Sequence, residues 1–418
     1  MERRSRRRTR QKRLASVRSK QDFLWICRLA TALLLVILVW DYGLPYLRGG
    51  SAGQQQKQSQ DDRAQTARIM AHGDLLYHLP ILRGAEQPDG SYDFSENFTY
   101  VKPWIEQADF AIADFEGTIS PDVELAGYPL FNAPCIVAGT IRDAGYDVVD
   151  LAHNHILDSR LAGLVSTDAA FHEVGIDTVG VYAEGNRSQA PLYICEVNGI
   201  KIAILAYAYG FNGMEGLLSQ EEYEAYLSDF DLQAMQREIE AAEKEADITI
   251  VMPQTGVEYQ LEPTEEQISL YHQMVDWGAD LVFGGHPHVT EPAEIVEKDG
   301  QRKLIIYSMG NFLSNQRQET MTDEVNAKWT ERGVLMDVTI QKVNGETTIQ
   351  MARAHPSWVN RVWKGTYSPE GYELYGYQTY ILEDWIAGGP YYGQLDAATQ
   401  ARIEEAYQEM NAFVGLEW

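Results

Sequence analysis

Cysteine is scarce in this 418-residue chain, and so is positive charge beyond its first twenty residues. Three cysteines do not make a disulfide framework. Cys27 lies in an apolar run, and Cys135 and Cys195 read as two buried thiols. Basic residues number 34 against 61 acidic ones, a net charge of −27. Ten of the 34 crowd positions 3–20, from Arg3 to Lys20, opposed only by Glu2. The remainder is therefore more acidic than the total suggests. Such a body repels nucleic acid and anionic polymers at long range. No nucleic-acid partner is expected, and function must rest on a local site. No internal repeat is visible.

What is present begins with an apolar run, FLWICRLATALLLVILVW at residues 23–40. Its length is near the roughly 20 residues that span a bilayer. Arg28 can snorkel to the interface, and Trp25 and Trp40 are placed as interfacial anchors. The basic flank lies wholly on the N-terminal side, so residues 1–22 are expected in the cytoplasm and the main domain outside the cell. A signal peptide needs a short apolar core and a small-residue cleavage site. Here a long core is followed by Asp41, Tyr42, Pro45 and Arg48, so an uncleaved single-pass anchor in the cell membrane is expected. Residues 41–66 include GGSAGQQQKQSQDD, a flexible spacer by composition.

From residue 67 onward apolar runs alternate with helical patterns. Buried strands are expected at 67–73, 110–114, 148–151, 248–252 and 281–283. Helices are expected at 134–144, ending before Gly145, at 264–277, ending before Gly278, and as one long charged helix at 221–245. A hairpin turning on Asn198 and Gly199 is expected at 192–206. Segments 303–308, 333–342 and 347–354 read as consecutive antiparallel strands. The sum is an α/β domain with mixed sheets over 67–354. Residues 355–418 read as an aromatic-rich, irregular extension packed on it, closing with a helix at about 397–413.

Candidate ligands stand where strands end: Asp74, Asp114 and Glu116, then His153, Asn154 and His155, then Gln254, then His286 and His288. Carboxylate, amide and imidazole donors converging from different strands are what a metal centre needs. A lone strand-end Asp is more often a turn or cap residue. The weight lies in the joint occurrence.

Residues 68–315 resemble the CapA family of capsule-synthesis proteins, whose domain is similar to the calcineurin-like metallophosphoesterases. The matching stretches are HGDLLYH, ADFEGTIS, FNAPCIVAGTIRDAGYDVVDLAHNHILD, GVEYQLEPTEEQ, GADLVFGGHPHV and IIYSMGNF. Some members of the family are associated with making, exporting or attaching poly-γ-glutamate. The resemblance implies two mixed sheets between helices and two divalent ions (Mn, Mg, Zn or Fe) at the sheet edge. It implies Asp74 and His288 on the first ion, Glu116 bridging, and Asn154, His286 and Gln254 on the second. His155 is then the proton-transferring group, with Asp158 orienting it. Two cations activate water and clamp the anionic oxygens of a phosphoester, so lysine and arginine are not required. Two positions depart from the pattern. Leu76 stands where a histidine follows the first Asp, and Gln254 stands where HxGxEY has histidine. Gln is the weaker donor toward a transition metal. The resemblance thus implies a metal-dependent hydrolase acting in capsule synthesis, export or anchoring. Its partners would be the membrane, other capsule-synthesis membrane proteins and an anionic polymer. The alternative is a non-catalytic polymer-binding or scaffold component with a degenerate metal site.

Overall fold

The computed structural model describes residues 64–416 and 418. The basic tail, the 23–40 run and most of the expected spacer lie outside them. Among the described residues no helix is long and apolar enough to cross a membrane.

The strands, in chain order, are β1 Gln65–Leu75, β2 Phe110–Phe115, β3 Val148–Asp150, β4 Asp177–Val179, β5 Ile194–Val197, β6 Ile200–Ala208, β7 Ile248–Gln254, β8 Leu281–Phe283, β9 Ala293–Lys298, β10 Gln301–Ile306, β11 Asn311–Leu313, β12 Arg332–Val343, β13 Glu346–Tyr367 and β14 Glu373–Ile381. The helices are α1 Leu79–Ala85, α2 Lys102–Ile105, α3 Ile136–Ala144, α4 Arg160–Glu173, α5 Gln220–Tyr226, α6 Leu232–Glu245, α7 Glu265–Trp277 and α8 Ala397–Val414. One sheet runs β14-β13-β12-β1-β2-β3-β4, with β11 also on β1, and the other runs β5-β6-β7-β8-β10-β9. Both are mixed: β1, β2, β3 and β4 are parallel while β12 is antiparallel to β1. This is a mixed α/β architecture with sheets flanked by helices.

Period-2 alternation explains the layering. In β6, Ile202, Ile204 and Ala206 enter the main core, whereas Ala203, Leu205 and Tyr207 enter a second core. β8 and β10 repeat the pattern, with Leu281, Phe283, Leu304 and Ile306 on one face and Val282 and Ile305 on the other. The second core is closed by Met235 and Ile239 of α6 and Tyr271, Met274 and Val275 of α7. The centre of the second sheet is therefore buried on both faces, and its strands β7 and β8 read as short, largely apolar runs. Helix α7 starts with a capping box between Thr264 and Gln267 and stops at Gly278. The β5–β6 turn places Asn198 and Gly199 at positive φ, as a two-residue hairpin requires.

Several expectations need correction. The single helix at 221–245 is two, α5 and α6. Leu227 between them is fully buried, and Ser228 donates its hydroxyl to the Ala206 carbonyl while accepting from the Ala208 amide. Asp231 then restarts the helix by accepting from the Gln233 and Ala234 amides. β10 belongs with β8 and β9 in the second sheet, not with β12 and β13. The boundary expected after Ala354 falls inside β13, which continues to Tyr367 and pairs with β14. The segment after His355 thus continues the sheet as far as Ile381. Its Trp358, Tyr380 and Trp385 form a third core with Ile403 and Ala406 of α8. β1 begins two residues inside the expected spacer. Cys135 and Cys195 are free, and neither is the buried thiol expected: Cys135 is exposed and Cys195 half-buried.

A charged line ties β1, β12 and β13 together. Arg68 makes two 2.8 Å bonds to Asp337. His355 lies 3.5 Å from Asp337 and 2.8 Å from Glu383. Burial works against the imidazolium, but the two carboxylates outweigh it and raise His355 to about 9. Burial likewise opposes the Asp337 carboxylate, yet His355 and Arg68 hold it down to about 2. The His355 contribution is present in full below the unfolded value of about 6.5 and is lost as pH rises through 9. The Asp337 contribution is present above about 3.8 and is lost as pH falls toward 2. In urea titrations stability is expected to fall by on the order of 2 kcal/mol between pH 6.5 and 9. His355→Gln should flatten that alkaline limb and shrink the acid limb without removing it, because Arg68 still holds Asp337. An alkaline limb unchanged in the variant rejects the assignment.

Candidate metal centre

The site forms where β1, β2, β3, β7 and β8 end, on the edge between the two sheets. Asp74 closes β1, and its amide donates to the Gly310 carbonyl at 3.0 Å. The preceding Gly73 is required there: a Cβ would come within 1.8 Å of that same oxygen. Gly310 sits at φ 68, so SMGN is the tight turn that seats the strand. Glu116 follows β2 and donates its amide to the Leu75 carbonyl. The loop after β8 carries His286 and His288, both at positive φ, a backbone state that non-glycine residues hold only where surrounding contacts enforce it. Asn311 supplies such a contact, donating to the carbonyls of His288 and Thr330.

Asp74, Glu116 and His288 each offer a ligand atom, and these atoms lie within 4.8 Å of one another. His288 Nδ1 is 2.7 Å from Asp74 Oδ2 and 3.9 Å from Glu116 Oε2. Asp74 Oδ1 and both Glu116 oxygens are buried without a hydrogen-bond partner. Burial raises the Glu116 carboxyl to about 7, and His288, despite its burial, is pushed up to about 10 by Glu116 and Asp74. Unpartnered buried carboxylate oxygens are costly unless a cation meets them. This donor set fits a divalent ion with oxygen and nitrogen ligands.

Sequence reading counted Asp114 among the strand-end donors but passed over Asp150. Asp74, Asp114 and Asp150 are in-register neighbours across β1, β2 and β3. Asp114 Oδ2 and Asp74 Oδ1 both come within 3.2 Å of where a Cβ on Gly285 would lie. Burial and then the Asp74 charge raise Asp114 well above the usual carboxylate range, and burial does the same to Asp150. The signal was available: an Asp ends each of three consecutive apolar runs, MAHGD, AIAD and VVD.

The residues expected on a second ion also converge, but two of them satisfy each other. Gln254 Nε2 donates to Asn154 Oδ1 at 3.0 Å, and the Asn154 amide donates to Gln254 Oε1 at 3.1 Å. His286 is held to about 3, by burial first and then by the His288 charge. It is therefore a neutral imidazole, and its Nδ1 has no partner. Leu76 is buried. His153 turns its ring nitrogens to the backbone amides of Gly117 and His155 and stands outside the triad. His155 is 2.7 Å from Asp158 through Nδ1 and 3.8 Å from Glu116 through Nε2. Burial opposes its charge, but Asp158 and Glu116 prevail and raise it above the ordinary histidine value. Asp158 also accepts from the Phe131 amide, which fixes the carboxylate that fixes the ring. Asn212, which sequence reading missed, accepts from the Asn154 side-chain amide at 3.3 Å and lies beside the His155 ring. A cavity of about 680 Å³ opens beside Asn154 and His155.

The chain is similar to "Capsule biosynthesis protein CapA" of Bacillus anthracis, 28% identical over 52% of this chain and 54% of that protein. It is similar also to "PGA biosynthesis protein CapA" of Bacillus subtilis strain 168, 29% identical over 52% of this chain and 57% of that one. A "Probable polyglutamine synthesis accessory protein" of Mycobacterium tuberculosis is 25% identical over half of each. The chain thus spans about half the length of the curated relatives it matches. Among solved structures, the calcineurin-like phosphoesterase YfkN from Bacillus subtilis aligns with a TM-score of 0.42 at 14% identity. That alignment covers 85% of this chain and all of that one. The family model "Bacterial capsule synthesis protein PGA_cap" matches residues 68–316, more than half the chain and every residue of the triad, so this chain belongs to that family.

Proposed function

We propose that the chain is an extracytoplasmic, membrane-tethered accessory protein of poly-γ-glutamate capsule synthesis, export or anchoring, with a metallophosphoesterase-like domain that hydrolyses a phosphoester. The observation that carries the hydrolase reading is the triad, whose buried carboxylate oxygens on Asp74 and Glu116 face His288 with no other partner. These three residues would hold a divalent ion. When bound, such an ion supplies Lewis acidity toward water and toward an anionic ester oxygen. The chain's own part is proton handling and alignment. Asp158 holds the imidazole of His155 by Nδ1, leaving Nε2 to carry a proton toward a leaving oxygen. Asn212 steadies Asn154 by accepting from its side-chain amide. His286 is neutral and available to a second ion, but Asn154 and Gln254 join it only by giving up their mutual bonds. Manganese-loaded protein is expected to hydrolyse bis-p-nitrophenyl phosphate, to stop on chelation, and to resume on readdition of metal. Full metal loading without turnover on phosphomonoesters and phosphodiesters overturns the hydrolase reading. The closed Gln254–Asn154 pair favours, as second reading, a polymer-binding or scaffold component working with other capsule-synthesis membrane proteins.

The one-sided basic flank and the apolar run at 23–40 support the tether. Exposed Cys135 offers a native reporter of orientation. On intact cells it is expected to react with a membrane-impermeant maleimide, and the C135S variant is expected to lose that signal. Labelling that appears only after lysis rejects the orientation.

A further inference from the structure

The 680 Å³ cavity carries a second histidine that neither the triad nor the His155–Asp158 pair uses. His78 lines its wall together with His155. It is not the histidine of the phosphoesterase pattern, whose place Leu76 holds. Phe131 touches both imidazoles. Its ring centre is 5.1 Å from that of His78 and 4.8 Å from that of His155, nearly perpendicular to each. Hydrogen bonding fixes the His78 tautomer. Its Nδ1 lies 3.3 Å from the Asn315 amide and 3.3 Å from the Leu76 carbonyl. That carbonyl already accepts from the His78 amide at 2.9 Å, whereas the Asn315 amide has no other acceptor among the described residues. Satisfying the Asn315 amide makes Nδ1 the acceptor and leaves the proton on Nε2. Nε2 forms no hydrogen bond among the described residues, yet it is not one of the sealed, unpartnered atoms of the interior. Burial above all, joined by the charges of His288 and His155, holds the ring down to about 3, so it stays neutral. A neutral N–H selects an acceptor oxygen by direction and exerts little long-range pull on an anion.

We propose that His78 is a substrate-binding residue whose Nε2–H donates to an acceptor oxygen on the leaving group of the ester. The leaving group falls on this side because His155, which passes a proton to the leaving oxygen, lines the same cavity. A leaving group with a carbonyl is then preferred over an alkyl group of the same shape, which would leave the N–H unpaired and desolvated. Tyr128, 80% exposed, and Leu130 offer apolar surface to the remainder of that group. This assignment deepens the proposed function and rests on it for the side on which the leaving group lies.

The test is equilibrium binding of phosphonates, which are not hydrolysed. Full-length, detergent-solubilised, manganese-loaded protein is titrated with 3-oxobutylphosphonate and, separately, with 3-methylbutylphosphonate, in which a methyl group replaces the carbonyl oxygen. The oxo probe is expected to bind about fivefold more tightly or better, the worth of one hydrogen bond at a partly desolvated site. His78→Asn keeps an acceptor for the Asn315 amide and loses the outward N–H. It should remove the preference and retain the wild-type metal content. Equal binding of the two probes by the wild-type protein, which needs no variant to fold, overturns the proposal. So does a preference that survives His78→Asn. Equal binding alongside steady hydrolysis of bis-p-nitrophenyl phosphate overturns the subsite and leaves the hydrolase reading intact. A His78-dependent preference in protein that hydrolyses no phosphoester removes the hydrolase reading and leaves the acceptor subsite standing.

Discussion

Replacing His288 is expected to remove stoichiometric metal binding and to destabilise the metal-free protein as well. Its imidazole is the one nitrogen donor of the triad. Its removal should weaken metal affinity by about a hundredfold or more, beyond what loss of a group merely supporting a ligand costs. The stabilisation that metal gives the native state alone then disappears, seen as loss of the metal-induced rise in Tm. Without metal, the raised His288 is the positive charge that meets Asp74 and Glu116. Breaking a buried pair from one side costs roughly 3–5 kcal/mol. His288 sits at φ 55, so His288→Asn is the better variant, because Asn tolerates the left-handed region. Gln254→His should do the opposite. It frees Asn154 Oδ1 and adds a nitrogen beside neutral His286, and metal stoichiometry should rise. Metal content measured by mass spectrometry of dialysed protein decides both. An unchanged value in His288→Asn shows that this loop does not hold the ion.

His155→Ala should separate chemistry from metal binding. The ring is held by Asp158 through Nδ1 and is not among the three groups whose ligand atoms converge, Asp74, Glu116 and His288. Metal content is expected to stay at the wild-type level. Turnover of any phosphoester substrate is expected to drop by roughly a hundredfold or more, the usual worth of a positioned acid. Asp158→Asn should cause a smaller drop, because it loosens the ring without removing it. Turnover within a few-fold of wild type in His155→Ala would move the proton-transfer role to another group. A parallel loss of metal would make His155 part of the binding set.

Which features were legible in the sequence follows from their range. β1, β2, β7 and β8 lie where apolar runs end in chemistry-bearing residues, and α3 and α7 stop at the glycines that mark them. These signals are local. The break between α5 and α6 was not legible because it depends on Ser228 meeting Ala206 of another strand. The sheet to which β10 belongs was hidden for the same reason, since its partner β8 is set by tertiary packing. At the site, each strand-end donor was readable one at a time. That Gln254 and Asn154 would bond each other across 100 residues was not. The row formed by Asp74, Asp114 and Asp150 left a local trace, an Asp at the end of each run, but the side-by-side placement of the three exists only once three parallel strands take their register.

The central place of β1 sets an order of events during synthesis. It is the first described strand to leave the ribosome, yet its Arg68 must wait for Asp337, 269 residues later, to meet its partner on β12. At about 5–20 residues per second that wait is tens of seconds, with a largely apolar strand unpaired on one edge. Asp74 and His288, 214 residues apart, come together only near the end of the same interval. Metal loading must therefore wait at least until His288 has emerged, and a nascent chain stalled before β12 carries an open strand edge that invites aggregation.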